Sequence, residues 1–425
     1  MSSVSCDFSH LTPRLKSSFI DDFACKKVLE HFSNITYGRL VITVGDECYE
    51  MGQAAEDTLL HASIQVSNKA MFRQIMLNGM VGAAEMYMLG AWTTPDLLML
   101  IKVMTQNITV LNEMDKKRSI SKKLSSKLLN YFNKNTVSGS QRNISAHYDL
   151  SNDFFATFLD QSMMYSSAIF KDDAMSLADA AVYKLEVICQ KLQLSESDHL
   201  LEIGTGWGGM AIYAAQHYGC RVTTTTISQA QFDYATRRVA ELGLQDQITV
   251  LKEDYRQLRG TFDKLVSIEM IEAVGHQFYQ SYFDCCANLL KPDGLALIQA
   301  ITISDQRFEQ AKNSVDFIQR YIFPGGCLPS VSVIASCVAD YTDMQIIDLH
   351  DITADYAKTL NLWRQAFMDN IEAVKASGFD NIFCRMWEYY LCYCAGGFDS
   401  RVIQTSQIVL AKPRHQYHGC SARQF

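Results

Sequence analysis

From residue 194 onward, short apolar runs alternate with stretches of helical spacing. HLLEIG (199–204) reads as a strand ending in glycine, and helical periodicity follows over 209–217. RVTTTTI (221–227) predicts a second strand, with a helix after it through Arg237 and Ala240. QITVLKED (247–254) and DKLVSIEMI (263–271) predict a third and a fourth, and a helix over 277–290 follows the fourth. KPDG (291–294) is a turn signal leading into a fifth run, LALIQAITI (295–303). Strands alternating with helices predict an α/β fold: a parallel sheet with helices on both faces.

The first 110 or so residues read differently. RLVITV (39–44) and ASIQV (62–66) are strand-like, while Met71, Ile75, Met76, Val81 and Met86 recur at helical spacing over 69–89, with Gly90 as the stop. This text holds no catalytic constellation. Between 116 and 134 the composition shifts: Lys116, Lys117, Arg118, Lys122, Lys123, Lys127 and Lys134 appear without an acid, and Ile120, Leu124, Leu128 and Phe132 form an apolar stripe. Two readings stand, a solvated linker helix or a basic amphipathic segment that meets an anionic membrane surface. The division expected is therefore 1–115, a basic linker over 116–140, and a larger domain over 141–425.

Composition narrows the class. The chain has 425 residues, 48% hydrophobic and 20% charged, which excludes disorder and coiled coils and allows two or three domains. A net charge of -8 argues against a nucleic-acid partner. The 13 cysteines include Cys189, Cys285, Cys286, Cys392 and Cys394 inside apolar runs, with no paired CxxC sets. Reduced, buried thiols in a cytoplasmic protein are expected, and no zinc site. No run approaches the roughly 18 apolar residues of a membrane span, and the first 16 residues carry no signal-type apolar core.

The sharpest local chemistry is EIGTGWGG (202–209) at a strand-to-helix junction, where Gly204 and Gly206 permit a tight turn and close approach of a ligand to the backbone. A bare GxG also serves nicotinamide and flavin enzymes. S-adenosylmethionine (AdoMet) is favoured here because the loop is GTGWGG, because Glu202 precedes it, and because the third strand ends in Glu253 and Asp254, where methyltransferases present an acid near the adenine amino group. The second strand lacks a ribose-binding acid at its end and continues as Thr226-Ile227-Ser228-Gln229-Ala230-Gln231.

With NISAHYDLSNDFF (143–155), MMYSSAIF (163–170), SIEMIEAVG (267–275), YIFPGGCLPS (321–330) and YMLGAW (87–92), the chain resembles the cyclopropane-fatty-acyl-phospholipid synthases over about residues 55–412. The resemblance implies a Rossmann-like class I AdoMet-dependent methyltransferase domain with a smaller N-terminal α+β lipid-handling domain. It also implies a reaction. AdoMet methylates a cis double bond in a phospholipid acyl chain, the carbocation loses a proton, and the ring closes. Such a cation needs a dry pocket and aromatic faces, for which Tyr165, Phe170, Tyr255, Phe317 and Tyr321 are available; Phe170 and Phe317 read equally well as core.

The positions the resemblance assigns to AdoMet are Tyr165, Ser166, Gly204, Gly206, Thr226, Gln231, Asp254 and Tyr255. His147 reads as a structural histidine or as part of the substrate or cofactor site. In the family a bound bicarbonate takes the proton, and its matched holders are Ser167, Glu272, Gln299, Ile301 through its backbone, and Tyr356. Glu272 is expected to be the only acid of that pocket. Ser167 replaces the usual cysteine, Gln299 a common histidine, and Ala273 the histidine after the glutamate. With a neutral amide at 299, a rate that rises with added bicarbonate is expected. The competing reading is a pocket without bicarbonate, in which a side chain or water ends the reaction and branched products form. A cytoplasmic enzyme peripheral to the inner face of a bacterial membrane, and a homodimer, complete what the resemblance implies. Its rivals are a branching methyltransferase and a non-catalytic lipid-binding relative.

Overall fold

A computed structural model describes residues 8–53, 60–116 and 150–416. The basic segment beyond Lys116 and the AHYDL motif with His147 lie outside the described residues. The chain forms two compact units, and they interleave in sequence. Among the described residues, the first draws on those up to Lys116 together with Ser314–Ile322 and Leu360–Val402, and the second takes the remainder. This departs from the contiguous division at residue 141 that the composition shift predicts: two downstream segments belong with the first unit.

In the first unit a four-stranded sheet has the order β2-β1-β3-β4. β1 (Gly38–Val44) pairs antiparallel with β2 (Glu47–Gln53) and parallel with β3 (His61–Val66), which pairs antiparallel with the short β4 (Trp92–Thr93). The alternating burial of β1 matches a sheet with one face on a core. The helix expected over 69–89 runs Ala70–Met88 and is broken at Gly79, whose φ of 58° no helix accommodates. The helix Asn381–Asp399 supplies much of this unit's core through Phe383, Trp387, Tyr389 and Leu391. Phe317 and Tyr321 belong here: Phe317 packs on Tyr389 at 4.8 Å, and the Tyr321 hydroxyl donates to buried Glu85 at 2.6 Å.

The second unit is built on a seven-stranded sheet of order β10-β11-β9-β8-β5-β6-β7. β5 (His199–Ile203), β6 (Arg221–Thr225), β7 (Ile248–Leu251), β8 (Phe262–Ile268) and β9 (Leu290–Ile303) are parallel. β11 (Ile403–Ala411) runs antiparallel to β9 and to β10 (Gln345–Asp351). Helices on both faces leave Leu200, Leu201, Leu265, Val266, Leu295, Leu297 and Ile298 with no solvent exposure. Each such side chain contributes about 1.5–3 kcal/mol of burial, which is why these strands read as continuous apolar runs.

The KPDG turn proves to be a bulge within β9: Phe262 pairs with Leu290 but Lys264 with Leu295, so residues 291–294 loop out of register. The helices Gly209–Tyr218 and Gln229–Glu241 follow β5 and β6 as expected. The helix after β8 is Tyr279–Leu289, entered through a 3-10 turn at His276–Phe278. All eleven cysteines among the described residues are free thiols; Cys189, Cys286 and Cys392 are buried, Cys285 and Cys394 half-buried. Among the described residues no helix is long and apolar enough to cross a membrane.

Candidate active site

The second unit gathers the predicted site residues where the parallel strands end. The loop after β5 is shaped by its glycines: φ is 104° at Gly204, 52° at Gly206 and 88° at Gly208, values that L side chains rarely adopt. A Cβ at Gly206 would meet nothing within 4 Å, so that face is open for a ligand. A Cβ at Gly209 would lie 2.7 Å from Met164 Sδ and 3.0 Å from the Ser162 carbonyl, so this glycine lets the helix start close against the 162–164 segment. The Gly204 and Thr205 N–H groups both donate to the Thr225 carbonyl at 3.0 Å, tying the loop to the end of β6.

Beneath the loop, Glu202 is buried and accepts the Thr224 hydroxyl at 2.7 Å. Burial, opposed by the Thr224 hydrogen bond and the charge of Lys184, pushes its carboxyl up to about 8. After β6, the Thr226 hydroxyl donates to Gln231 Oε1 at 2.9 Å, and Ser228 caps the helix that carries Gln231. Thr226 and Gln231 are thus one bonded pair at the strand end where the sequence lacks an acid. After β7, buried Asp254 is held by Arg256 in a fork, Nε to Oδ1 at 2.7 Å and Nη2 to Oδ2 at 2.6 Å. The Tyr255 ring stands edge-on to Tyr282 at 5.6 Å, and its buried hydroxyl has no hydrogen-bond partner among the described residues. An unsatisfied buried hydroxyl beside a loop of this kind fits a ligand that supplies the partner.

Tyr165 stands edge-on to Phe155 at 5.2 Å, and Phe155 packs on Trp207 of the glycine loop at 4.9 Å. The Trp207 indole donates to Asn152 at 2.7 Å. Ser166 accepts a hydrogen bond at 2.8 Å from Lys184, whose side chain is fully buried and whose pKa burial drags down to about 8. Phe170 has Lys358 over its ring at 4.3 Å, so one face already holds a cation.

The expected anion pocket is organised around a different residue from the one predicted. Glu269, just past β8, accepts the Ser167 backbone N–H at 2.9 Å and the Gln299 amide at 2.8 Å on Oε1, and the Tyr356 hydroxyl at 2.6 Å on Oε2. Glu272 was expected to be the only acid there. It instead accepts the Ile301 N–H on one oxygen, while its other oxygen has no partner among the described residues. Burial, reinforced by the charge of Glu269, lifts Glu272 to about 8. Burial raises Glu269 too, against the three hydrogen bonds and Lys184, which favour its ionised form. The Ser167 hydroxyl does not face the pocket as an anion donor: it donates to the Ala168 carbonyl, and only the backbone N–H reaches the carboxylate. Gln299 is itself oriented by Gln407, whose amide donates to its oxygen at 3.1 Å. The two halves of the site adjoin at Met270, whose side chain lies 3.5 Å from the Cβ position of Gly204.

Four of the expected holders of an anion therefore donate to two carboxylates, Ser167, Gln299 and Tyr356 to Glu269 and Ile301 to Glu272, which is the fifth. Glu269, Lys184 and Trp207 were not anticipated. Glu269 stood inside the quoted SIEMIEAVG and could have been flagged as a second acid three residues before Glu272. Lys184 gave no such signal in a helix of ordinary amphipathic spacing.

Comparisons with known proteins give the family. The profile of the mycolic acid cyclopropane synthetase family matches residues 136–408. The chain belongs to that family. The cyclopropane-fatty-acyl-phospholipid synthase of Escherichia coli is 37% identical over 355 residues, 83% of this chain and 88% of the relative. Tuberculostearic acid methyltransferase of Mycobacterium tuberculosis is 35% identical over 350 residues, 81% of each. A mycolic acid cyclopropane synthase solved with SAH and CTAB superposes with a TM-score of 0.60 at 31% identity, covering 64% of this chain and 98% of that one. The fold is that of the class I AdoMet-dependent methyltransferases, and the chain is an enzyme of this kind, of the cyclopropane-synthase type.

Proposed function

We propose that the protein transfers the methyl group of AdoMet to a cis double bond in the acyl chain of an unsaturated phospholipid. A carbocation forms and loses a proton to give a cyclopropane ring. The single observation that carries this reading is a glycine loop of open, positive-φ backbone set against a half-buried, hydrogen-bonded carboxylate at the ends of adjoining strands. That combination suits a cationic methyl donor followed by proton removal away from water.

AdoMet would lie along the loop, with Gly204 and Gly206 against its amino-acid part, Thr226 and Gln231 near the ribose, and Asp254 and Tyr255 near the adenine. Tyr165 and Ser166 would close the methyl-bearing side. The resemblance gives proton removal to a bicarbonate held by Ser167, Glu272, Gln299, Ile301 and Tyr356. The same donors surround Glu269 and Glu272 here, so the site has the chemistry to hold one negative charge at that point. The N-terminal unit and the basic segment over 116–134 would bring the enzyme to an anionic membrane surface, as a peripheral homodimer.

A second reading has a specific observation behind it: one relative is a tuberculostearic acid methyltransferase, 35% identical against 37% for the cyclopropane synthase. On that reading the same cation gives a branched chain. Mass spectrometry of lipids from cells expressing the protein tests both. A gain of one methylene on unsaturated phospholipids is expected, and ring-specific NMR signals separate a ring from a branch. Unchanged lipids in expressing cells would overturn the function.

A further inference from the structure

We propose that the Glu269 carboxylate is itself the proton acceptor of the reaction, standing where the resemblance puts a bicarbonate. The inference rests on the methyl-transfer reading above and names the base within it. Three of the side-chain or backbone donors expected to hold bicarbonate, the Ser167 N–H, the Gln299 amide and the Tyr356 hydroxyl, already converge on this carboxylate at 2.6–2.9 Å. The fourth, the Ile301 N–H, is taken by Glu272. A bicarbonate placed among them would find its donors engaged and the Glu269 carboxylate as a like-charged neighbour, an arrangement that is disfavoured.

The backbone gives an independent indication. Glu269 has a φ of 50°, in the left-handed region where a non-glycine side chain is strained and glycine is at ease. The hydrogen bonds to its carboxylate help to hold the glutamate in that conformation. It is half-buried, as a side chain lining a cleft would be. Oε1 accepts two hydrogen bonds and Oε2 one, which leaves Oε2 a lone pair to receive a proton. The three donors also answer the objection to a carboxylate base. A mobile one could collapse onto the carbocation as an ester, whereas this one is pinned. Glu272, neutralised by its own burial, leaves a single negative charge in the pair, and Lys184 stands by as a buried cation.

In the step itself, the alkene π pair forms the bond to the methyl carbon while the C–S pair leaves with sulfur. The neighbouring carbon becomes cationic. A C–H bond of the transferred methyl then breaks. Its proton goes to Glu269 Oε2, and its electron pair closes the three-membered ring, or forms an exocyclic double bond if a hydride has first shifted onto the cationic carbon.

The test uses purified full-length enzyme, AdoMet and vesicles of unsaturated phospholipid, in bicarbonate-depleted buffer with and without added bicarbonate. The wild-type rate should not respond to bicarbonate. Glu269→Gln should lose about 10²–10⁴-fold in turnover, the range general bases contribute, while AdoMet affinity by calorimetry stays within about twofold. Glu269→Gly relieves the backbone and vacates the donors, so it should fold, be slow, and recover part of its rate on adding bicarbonate. A wild-type rate that climbs with bicarbonate overturns the proposal, as does a Glu269→Gln enzyme of unchanged turnover. A Glu269→Gly enzyme that bicarbonate does not restore would mean the donors form no anion site, which also overturns it. A wild-type enzyme that binds AdoMet but methylates no lipid would instead sink the functional reading itself.

Discussion

Tyr356, at the start of the helix Thr353–Asp369, donates its hydroxyl to Glu269 Oε2 across 2.6 Å and so fixes the carboxylate at the end of β8. A hydrogen bond to a charged acceptor contributes about 1.5–3 kcal/mol, and it favours the ionised form. Tyr356→Phe should therefore raise the Glu269 pKa. Because the base works deprotonated, the acid limb of the pH–rate profile should move to higher pH, with turnover at neutral pH down roughly tenfold to a hundredfold. An unmoved limb would mean that the pair only braces the helix.

Glu202 lies under the glycine loop with its carboxyl pushed up to about 8 from an ordinary 4.5. Below about 4.5 the folded and unfolded chains both carry that proton. Between about 4.5 and 8 only the unfolded chain ionises, so the contribution is lost as pH rises through the window and levels off above about 8. Glu202→Gln keeps an acceptor for Thr224 and removes the titration. Its thermal midpoint should exceed that of the wild type by more at about pH 8 than at mildly acidic pH, with a gain on the order of a few kcal/mol at most. Equal midpoints at both pH values would place the burden elsewhere, on Glu272 first.

Two glycines eight atoms of backbone apart or so should fail in different ways. Gly206 has a left-handed φ and open space beyond its Cβ direction, so Gly206→Ala should cost about 1–2 kcal/mol of backbone strain and project a methyl into the proposed cofactor space. AdoMet affinity should drop more than the thermal midpoint. Gly209 is crowded by Met164 and the Ser162 carbonyl, so Gly209→Ala should lower the midpoint first. Calorimetric titration and thermal melts on both variants separate the two effects.

The parallel strands were legible because both of their faces are buried, which writes an apolar run into the sequence of β5, β8 and β9. β10 was not, since its exposed edge carries Gln345, Asp348, His350 and Asp351 and shows no such run. The division into units was illegible for a related reason: membership of Leu360–Val402 is decided by contacts with chain hundreds of residues away, as Tyr87 with Glu388, and not by local composition. At the site, motif matching found Ser167, Gln299 and Tyr356 but not the group they serve. A hydrogen-bond hub is a property of three distant segments meeting, and the left-handed backbone at Glu269 that accompanies it leaves no local signature in the sequence.

The basic segment makes a separate prediction, argued from sequence. About 1 kcal/mol per lysine is available near an anionic surface. Replacing Lys116, Lys117, Lys122 and Lys123 by Gln should weaken sedimentation with anionic vesicles and remove most of its salt sensitivity. Unchanged sedimentation would make the segment a linker.

Gln299 separates the two accounts of proton removal most sharply. Its amide donates to Glu269 at 2.8 Å while its oxygen accepts from Gln407 at 3.1 Å, so it relays a neutral, oriented donor to the base. A bicarbonate pocket would gain from a histidine here, because a charged donor holds an anion more tightly. With Glu269 as the base the consequence reverses. A cationic histidine beside the carboxylate lowers its pKa by about 1–3 units and makes it a weaker base. Gln299→His should then shift the acid limb of the pH–rate profile to lower pH and reduce the plateau turnover several-fold, with no bicarbonate dependence appearing. A Gln299→His enzyme that is faster, and that saturates with added bicarbonate, would return the proton to the anion.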